Sequence, residues 1–286
     1  MLAIKVCAAV VEKRRMQISP LGSAPTANVI TPTASKTEII AHRGFHGRDG
    51  VYENTVDAYL RAMRLGVDLM ETDIRRTADG VLVLFHDASL GSALISRTKY
   101  ADLPRLPNGR LVSTLQGLVD AMAGAGGATR LLVETKEHGY EAEILATLYS
   151  RLSPSQFELM SFNQDSVRAM RQLAPDAKVG VLFGLLPDWK NGTWPISGAA
   201  IVAQARELGV DFVAIDRMIA NDARLDAIAA AGFFVAVWTV DKPGDLARLL
   251  KDSRVQRIIT DAPDTAMAMR DAARKLQPAL AAARVT

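Results

Sequence analysis

The segment ETDIRRTADGVLVLFHD, residues 71–87, places Glu71 and Asp73 two apart in an apolar run and brings His86 back after a short turn. Side chains alternate along a strand, so the two carboxylates share one face. Only Thr77-Ala78-Asp79-Gly80, with arginines before it, joins LMETDI to VLVLFHD. A parallel crossover needs a dozen or more residues, so the two runs are expected to form an antiparallel hairpin. If Arg76 pairs with Val81, opposed residue numbers sum to 157 and Glu71 faces His86.

Other polar residues fall at the ends of other apolar runs. His42 and Arg43 end EIIAHRG, and Glu134 and Lys136 end LLVETK with the same spacing of two. Ser161, Trp238-Thr239 and Thr260-Asp261 occupy similar places. A single acid in such a run is most often an ion-pair partner or a helix cap, and a single histidine is usually structural. Three carboxylates facing only Arg43 and Lys136 are harder to satisfy, because burial and mutual repulsion both oppose ionisation. One divalent cation held by Glu71, Asp73 and Glu134 resolves the conflict; an ion-pair network is the competing reading. The all-oxygen set points to Mg²⁺ or Ca²⁺, since zinc prefers nitrogen and sulfur. The ion and these five side chains together carry about one positive charge, which suits a phosphodiester monoanion in a dry cleft. Histidine exchanges protons near neutral pH. His42 and His86 are therefore the candidates for the base that activates an attacking hydroxyl and the acid that protonates the departing alkoxide.

These groups need a frame that gathers strand ends. Nine short apolar runs, at 38–44, 69–74, 81–87, 131–136, 157–162, 179–183, 211–216, 234–240 and 255–263, alternate with stretches of helical period. Several helical stretches close on glycine, as at Gly66, Gly209 and Gly232. With one run assigned to the return strand of the hairpin, eight parallel strands remain. The expected fold is a (β/α)8 TIM barrel with an antiparallel hairpin strand after the second strand, its reactive groups at the strand ends. An open doubly wound sheet is the runner-up, weakened because no Gly-rich dinucleotide loop follows any strand.

The bulk properties agree with a single large domain. The chain has 286 residues, of which 49% are apolar, and a formal net charge of +3 spread along its length, so no nucleic-acid partner is expected. One cysteine, Cys7, excludes an internal disulfide framework and suits a reduced compartment. The N-terminal stretch MLAIKVCAAVVEKRRM places its basic cluster after the apolar part, the wrong order for a secretory signal, so a cytoplasmic location is expected. No apolar segment has the length of a bilayer span. The expected organisation is a loosely ordered arm over 1–36, the barrel over 37–276 with an inserted segment at about 88–112, and a tail over 277–286. His46 is expected to be an exposed loop residue. His138 stands evenly between rim contact and bystander, as Trp238 does between pocket floor and core. Trp189 and Trp194 lie in one loop and would cover an apolar edge.

The ordered motifs resemble the glycerophosphodiester phosphodiesterase family. They are His42-Arg43-Gly44, Glu53-Asn54-Thr55, Glu71-x-Asp73, Thr77-x-Asp79-Gly80, His86-Asp87, Glu134-x-Lys136, Ser161-Phe162, Trp238-Thr239-Val240 and Thr260-Asp261-x-Pro263. The resemblance implies metal ligands Glu71, Asp73 and Glu134, catalytic His42 and His86, phosphate contacts from Arg43 and Lys136, and an insertion after the His-Asp motif; Trp238 joins them as a candidate substrate contact. Tyr52 stands where the family usually has proline, and Asp241 where it often has asparagine. The expected activity is hydrolysis of glycerophosphodiesters to sn-glycerol 3-phosphate and an alcohol. The same chemistry on a sugar phosphodiester or a lysophospholipid is one alternative, and a non-catalytic phosphodiester-binding barrel is another.

Overall fold

A computed structural model of the chain describes residues 37–184 and 197–282, the last seven by their helical backbone alone. The expected arm over 1–36, Trp189, Trp194 and the end of the tail lie outside the described residues.

Eight parallel strands close on themselves: β1 (Glu38–Ala41), β2 (Leu69–Arg76), β6 (Arg130–Thr135), β7 (Phe157–Ser161), β8 (Lys178–Phe183), β9 (Phe212–Asp216), β10 (Phe234–Trp238) and β11 (Arg257–Thr260). Pairing of β1 with both β11 and β2 closes the barrel. The helices are α1 (Val56–Leu65), α2 (Leu115–Ala125), α3 (Glu141–Tyr149), α4 (Gln164–Leu173), α5 (Gly198–Leu208), α6 (Asp222–Ala230), α7 (Pro243–Leu249) and α8 (Pro263–Ala282). Helix α1 shows how sequence sets the ends. The Thr55 hydroxyl caps Ala58 N–H, and Gly66, at φ 80°, turns the chain out. Helix α8 runs through most of the expected tail.

The expected hairpin is present, with β3 (Leu82–Leu84) returning antiparallel along β2. Its register differs from the expected one. Ile74 faces Leu84 and Arg76 faces Leu82, so paired numbers sum to 158 and Glu71 does not oppose His86. The extra residue sits in the turn, where Thr77 N–H donates to the Val81 carbonyl and the Thr77 hydroxyl receives Val81 N–H. Turn chemistry, invisible to the alternation pattern, sets the register.

The segment expected to be inserted, about 88–112, lies between β3 and α2. A small β4–β5 ribbon (Ser89–Leu90, Ala93–Leu94) and two 3₁₀ turns pack Ile95, Leu103 and Val112 against Val83. Tyr100 ties this unit down, its N–H on Asp79 and its hydroxyl on the Val112 carbonyl.

Inside the barrel the strand periodicity of two stacks three layers. An apolar middle takes Ile40, Leu69, Leu132, Met160, Leu182, Ala214, Ala236 and Ile259, one from each strand. At the N-terminal end of the strands, Arg257 and Arg130 alternate with Glu38 and Glu158. Arg257 donates to Glu158 at 2.6 and 2.9 Å and to Glu38 at 2.9 Å; Arg130 reaches the same two acids at 2.6 and 2.5 Å. Arg257 also lies over the Phe212 ring. That ring occupies the space a side chain at Gly180 would need, since a Cβ there would meet it at 2.2 Å. The third layer, at the C-terminal end, is polar and differently balanced.

Candidate active site

The strand register brings the predicted residues together. In the β2–β6 pair Asp73 stands beside Glu134, and in the β1–β11 pair Ala41 stands beside Thr260, so His42 and Asp261 follow as neighbours. Glu71, Asp73 and Glu134 are all buried, and each offers an oxygen within 4.8 Å of the others.

The β1–α1 loop is shaped to serve these acids. Arg43 adopts φ 53°, which turns its N–H onto Glu71 Oε2 at 3.0 Å. Gly44 follows at φ 84°, pressed so close to α1 that a Cβ would lie 2.8 Å from Ala58. Asn54, also left-handed, is buried and reads Asp73 twice. Its amide donates to Asp73 Oδ2 at 2.8 Å, and its carbonyl oxygen receives Tyr59 Oη at 2.7 Å and Asp73 N–H at 3.3 Å.

The cations divide unevenly. Arg43 Nη1 donates to Glu53 at 2.8 Å, while its Nε lies 3.2 Å from Asp73 Oδ2 without hydrogen-bonding geometry. Lys136 Nζ bonds Glu134 Oε1 at 2.6 Å and lies 3.2 Å from Asp73 Oδ1. Lys136 and Arg43 thus both contact the acids. Within the acid cluster two buried oxygens have no hydrogen bond among the described residues: Glu71 Oε1 and Asp73 Oδ1. Burial and then repulsion from Asp73 and Glu134 push the Glu71 carboxyl well above its ordinary range. Burial also acts to raise Asp73, but Lys136, Arg43, His86 and the Asn54 bond outweigh it and bring it down to about 2. Buried carboxyl oxygens that lack hydrogen bonds and converge in a dry site fit a hard divalent cation, which would take the place of the Glu71 proton and supply the missing bonds.

The two histidines flank this cluster. His42 Nδ1 bonds Asp261 Oδ1 at 2.7 Å, and its Nε2 lies 4.0 Å from Glu71 Oε2. A carboxylate on Nδ1 selects the tautomer with that nitrogen protonated and leaves Nε2 as the proton acceptor. His86 bonds Asp87 through Nδ1 at 2.8 Å and lies near enough to help lower Asp73. Its approach does not come from ladder pairing. Regular pairing ends near Phe85, whose N–H reaches the Asp73 carbonyl, and the chain then departs from the strand.

Four residues without an assigned role belong to this constellation: Glu53, Asn54, Asp261 and His46. His46 is not an exposed loop residue, since its side chain is 16% exposed and its Nε2 lies 3.2 Å from Asp261 Oδ1. Two imidazoles on one carboxylate hold Asp261 well below its ordinary value against the opposing effect of burial. Asp241 in turn accepts the Asp261 N–H at 2.8 Å and the Thr260 hydroxyl at 3.1 Å. Strand parity gives the inward face of Asp261, two past Ile259; only barrel closure puts it against His42. His138 is 49% exposed and paired with Glu141. Trp238 packs edge-on against Phe162, at 5.6 Å between ring centroids, as the upper lid of the apolar layer. Ser161 is structural, bonding the Thr135 carbonyl and Asn163 N–H.

Among the described residues no helix is long and apolar enough to cross a membrane. The profile of the Glycerophosphoryl diester phosphodiesterase family matches residues 42–265. A glycerophosphodiester phosphodiesterase of Caldanaerobacter subterraneus is 26% identical over 80% of this chain and 96% of its own. A crystal structure of a glycerophosphodiester phosphodiesterase from Parabacteroides distasonis superimposes with a TM-score of 0.72 at 25% identity, covering 84% of this chain and 99% of that one. An Oleispira antarctica phosphodiesterase in complex with the product sn-glycerol-3-phosphate shares the fold, with a TM-score of 0.67 at 22% identity over 82% of this chain and 96% of that one. The chain belongs to the glycerophosphoryl diester phosphodiesterase family of phosphoric diester hydrolases.

Proposed function

We propose that the chain hydrolyses glycerophosphodiesters to sn-glycerol 3-phosphate and an alcohol, dependent on one Mg²⁺ or Ca²⁺ held by Glu71, Asp73 and Glu134. The observation that carries this reading is the pair of buried, unbonded oxygens on Glu71 and Asp73 beside an oriented histidine. The product bound by the Oleispira protein, of the same fold, is in accord with it. The cation would supply Lewis-acid polarisation of a phosphoryl oxygen.

The protein's own groups do the rest. Arg43 and Lys136 add positive charge beside the acids, so a phosphodiester monoanion meets a balanced pocket. Asp261 holds His42 with Nε2 free, and Asp87 holds His86 in the same way. One histidine takes the proton of the attacking hydroxyl as the new P–O bond forms. The other gives a proton to the alkoxide as the old P–O bond breaks; the attacking hydroxyl is water's, or it is the glycerol's own and water then opens the cyclic phosphate to give sn-glycerol 3-phosphate. Trp238 and Phe162 close the floor beneath the reacting centre and keep it dry.

The test is release of glycerol 3-phosphate, read by a coupled assay, with chelator and then Mg²⁺ or Ca²⁺ added back. Turnover of glycerophosphocholine that disappears with chelator and returns with metal is the expected result. Slow turnover of glycerophosphocholine beside fast turnover of a lysolipid or a sugar phosphodiester reassigns the substrate. No turnover of any of the three with metal present overturns the reading.

A further inference from the structure

The β2–β3 ladder does not by itself deliver His86 to the acids. Continuing the observed register would set His86 against Thr72, which points to the opposite face from Glu71 and Asp73. Something must take over where the ladder stops.

Arg75 stands on β2 with the parity of Glu71 and Asp73, one step nearer the rim. Its side chain is 11% exposed. Its Nε and Nη2 both donate to the backbone carbonyl of His86, at 2.9 and 2.6 Å. The remaining arm, Nη1, engages Glu137, which immediately follows Lys136. Glu137 is gripped by the Tyr140 hydroxyl, which also lies 3.0 Å from the Ile74 carbonyl on β2. One guanidinium therefore joins three pieces of backbone: the strand bearing the acids, the loop bearing His86 and the loop after Lys136. An ion pair with Glu137 alone would leave the fork unused, and an ammonium has no fork to offer.

We propose that Arg75 is the positioning residue for His86, replacing the lost ladder bond with a two-pronged clamp on the carbonyl and so fixing the ring beside the acids. The proposal rests on His86 moving a proton in the reaction, as argued above. A clamp of this kind acts on turnover through geometry: Arg75 makes no hydrogen bond to the three acids' side chains among the described residues, and it meets Asp73 and Glu134 through charge alone, which a lysine at this position would keep.

The experiment compares wild type, Arg75→Gln, Arg75→Lys, His86→Ala and the double variant Arg75→Gln/His86→Ala, in kcat, KM and metal midpoint with glycerophosphocholine. Misplacing a reacting group by an ångström costs about 10²-fold, so Arg75→Gln is expected to lose about tenfold to a hundredfold in kcat, and Arg75→Lys, which keeps the charge beside the acids, to lose it with KM and metal midpoint little changed. Arg75→Lys should fall with Arg75→Gln, and it carries the test should the glutamine variant not fold. On the His86→Ala background the Arg75 change should cost nothing further, since both act through one ring. Equal losses in the two backgrounds, or wild-type kcat in Arg75→Lys, overturn the clamp. A slow His86→Ala beside a fast Arg75→Gln overturns the clamp while sparing the role of His86. Wild-type turnover in His86→Ala overturns that role, and the clamp with it.

Discussion

The two ends of this barrel are both charged, both largely withdrawn from solvent and built from residues on the same inward-facing rows, yet they are opposites. At the N-terminal end two glutamates meet two arginines, and the Glu158 and Glu38 oxygens accept short bonds from Arg257 and Arg130. At the C-terminal end the three carboxylates of the cluster meet Lys136 and Arg43, and two of their buried oxygens have no hydrogen bond among the described residues. The first end is closed chemistry. The second is left incomplete, and an incomplete set of anionic oxygens in a dry site is what a cation and its anionic ligand can complete. Between them an apolar layer eight residues wide keeps the two networks from compensating each other.

The sharpest way to break this contrast is to neutralise one acid at each end. Glu71→Gln is expected to abolish metal-dependent turnover, a larger loss than the roughly 10²–10⁴-fold of a missing acid or base. Thermal melting without metal should show the variant folded, at or above the wild-type midpoint, because a carboxylate disfavoured by burial and by two like charges has been removed. Wholesale unfolding of Glu71→Gln would instead make the upper end structural.

Glu158→Gln should do the reverse. Breaking one partner of a buried network leaves Arg257 and Arg130 short of charge, at a cost of about 3–5 kcal/mol. Denaturant titration should show that loss while kcat of the folded fraction stays near wild type. A variant as stable as wild type would remove the claim that the lower network is complete.

Packing at the lower end gives a milder test. Gly180→Ala places a Cβ where the Phe212 ring lies, an overpacking expected to cost about 1–3 kcal/mol without changing the metal midpoint. A neutral result would mean that Phe212 moves freely and that Arg257 does not depend on it.

The smallest effect is in pH dependence. Glu71 binds its proton more tightly in the folded state than in the unfolded one. The stability it contributes is therefore present below the ordinary glutamate value and lost as pH rises above it. Asp73, held down at about 2, works in the other sense: its contribution stands above the ordinary aspartate value and is lost as pH falls toward 2. Melting of metal-free protein should thus decline from mildly acidic to neutral pH, and the decline should be shallower in Glu71→Gln. Identical profiles in the two proteins would show that Glu71 is not the strained acid.

Much of this was legible without coordinates. The alternation of short apolar runs and helical stretches counts out eight parallel strands, and the four-residue link after Arg76 calls for the return strand, because chain length forbids a crossover. The polar residues at strand ends, His42, Glu71, Asp73, Glu134 and Lys136, stand out because three carboxylates with only Arg43 and Lys136 to meet them are hard to satisfy without a cation. Periodicity stops short of pairing, however. It gave a hairpin register one residue out, read His46 as an exposed loop residue, and left Asn54, Glu53 and Asp261 without roles.

Those gaps share a cause. What the sequence determined are local quantities, the period of each element and the face each residue takes, which follow from bond geometry and burial over a few residues. Only tertiary structure decided which faces meet: that β11 closes onto β1 and sets Asp261 against His42, that Asn54 reaches across from the first loop to Asp73, and that Arg75 holds the chain at His86 where the ladder ends. These contacts join residues up to 219 positions apart. No local pattern encodes them, because they are fixed by closure of the whole barrel.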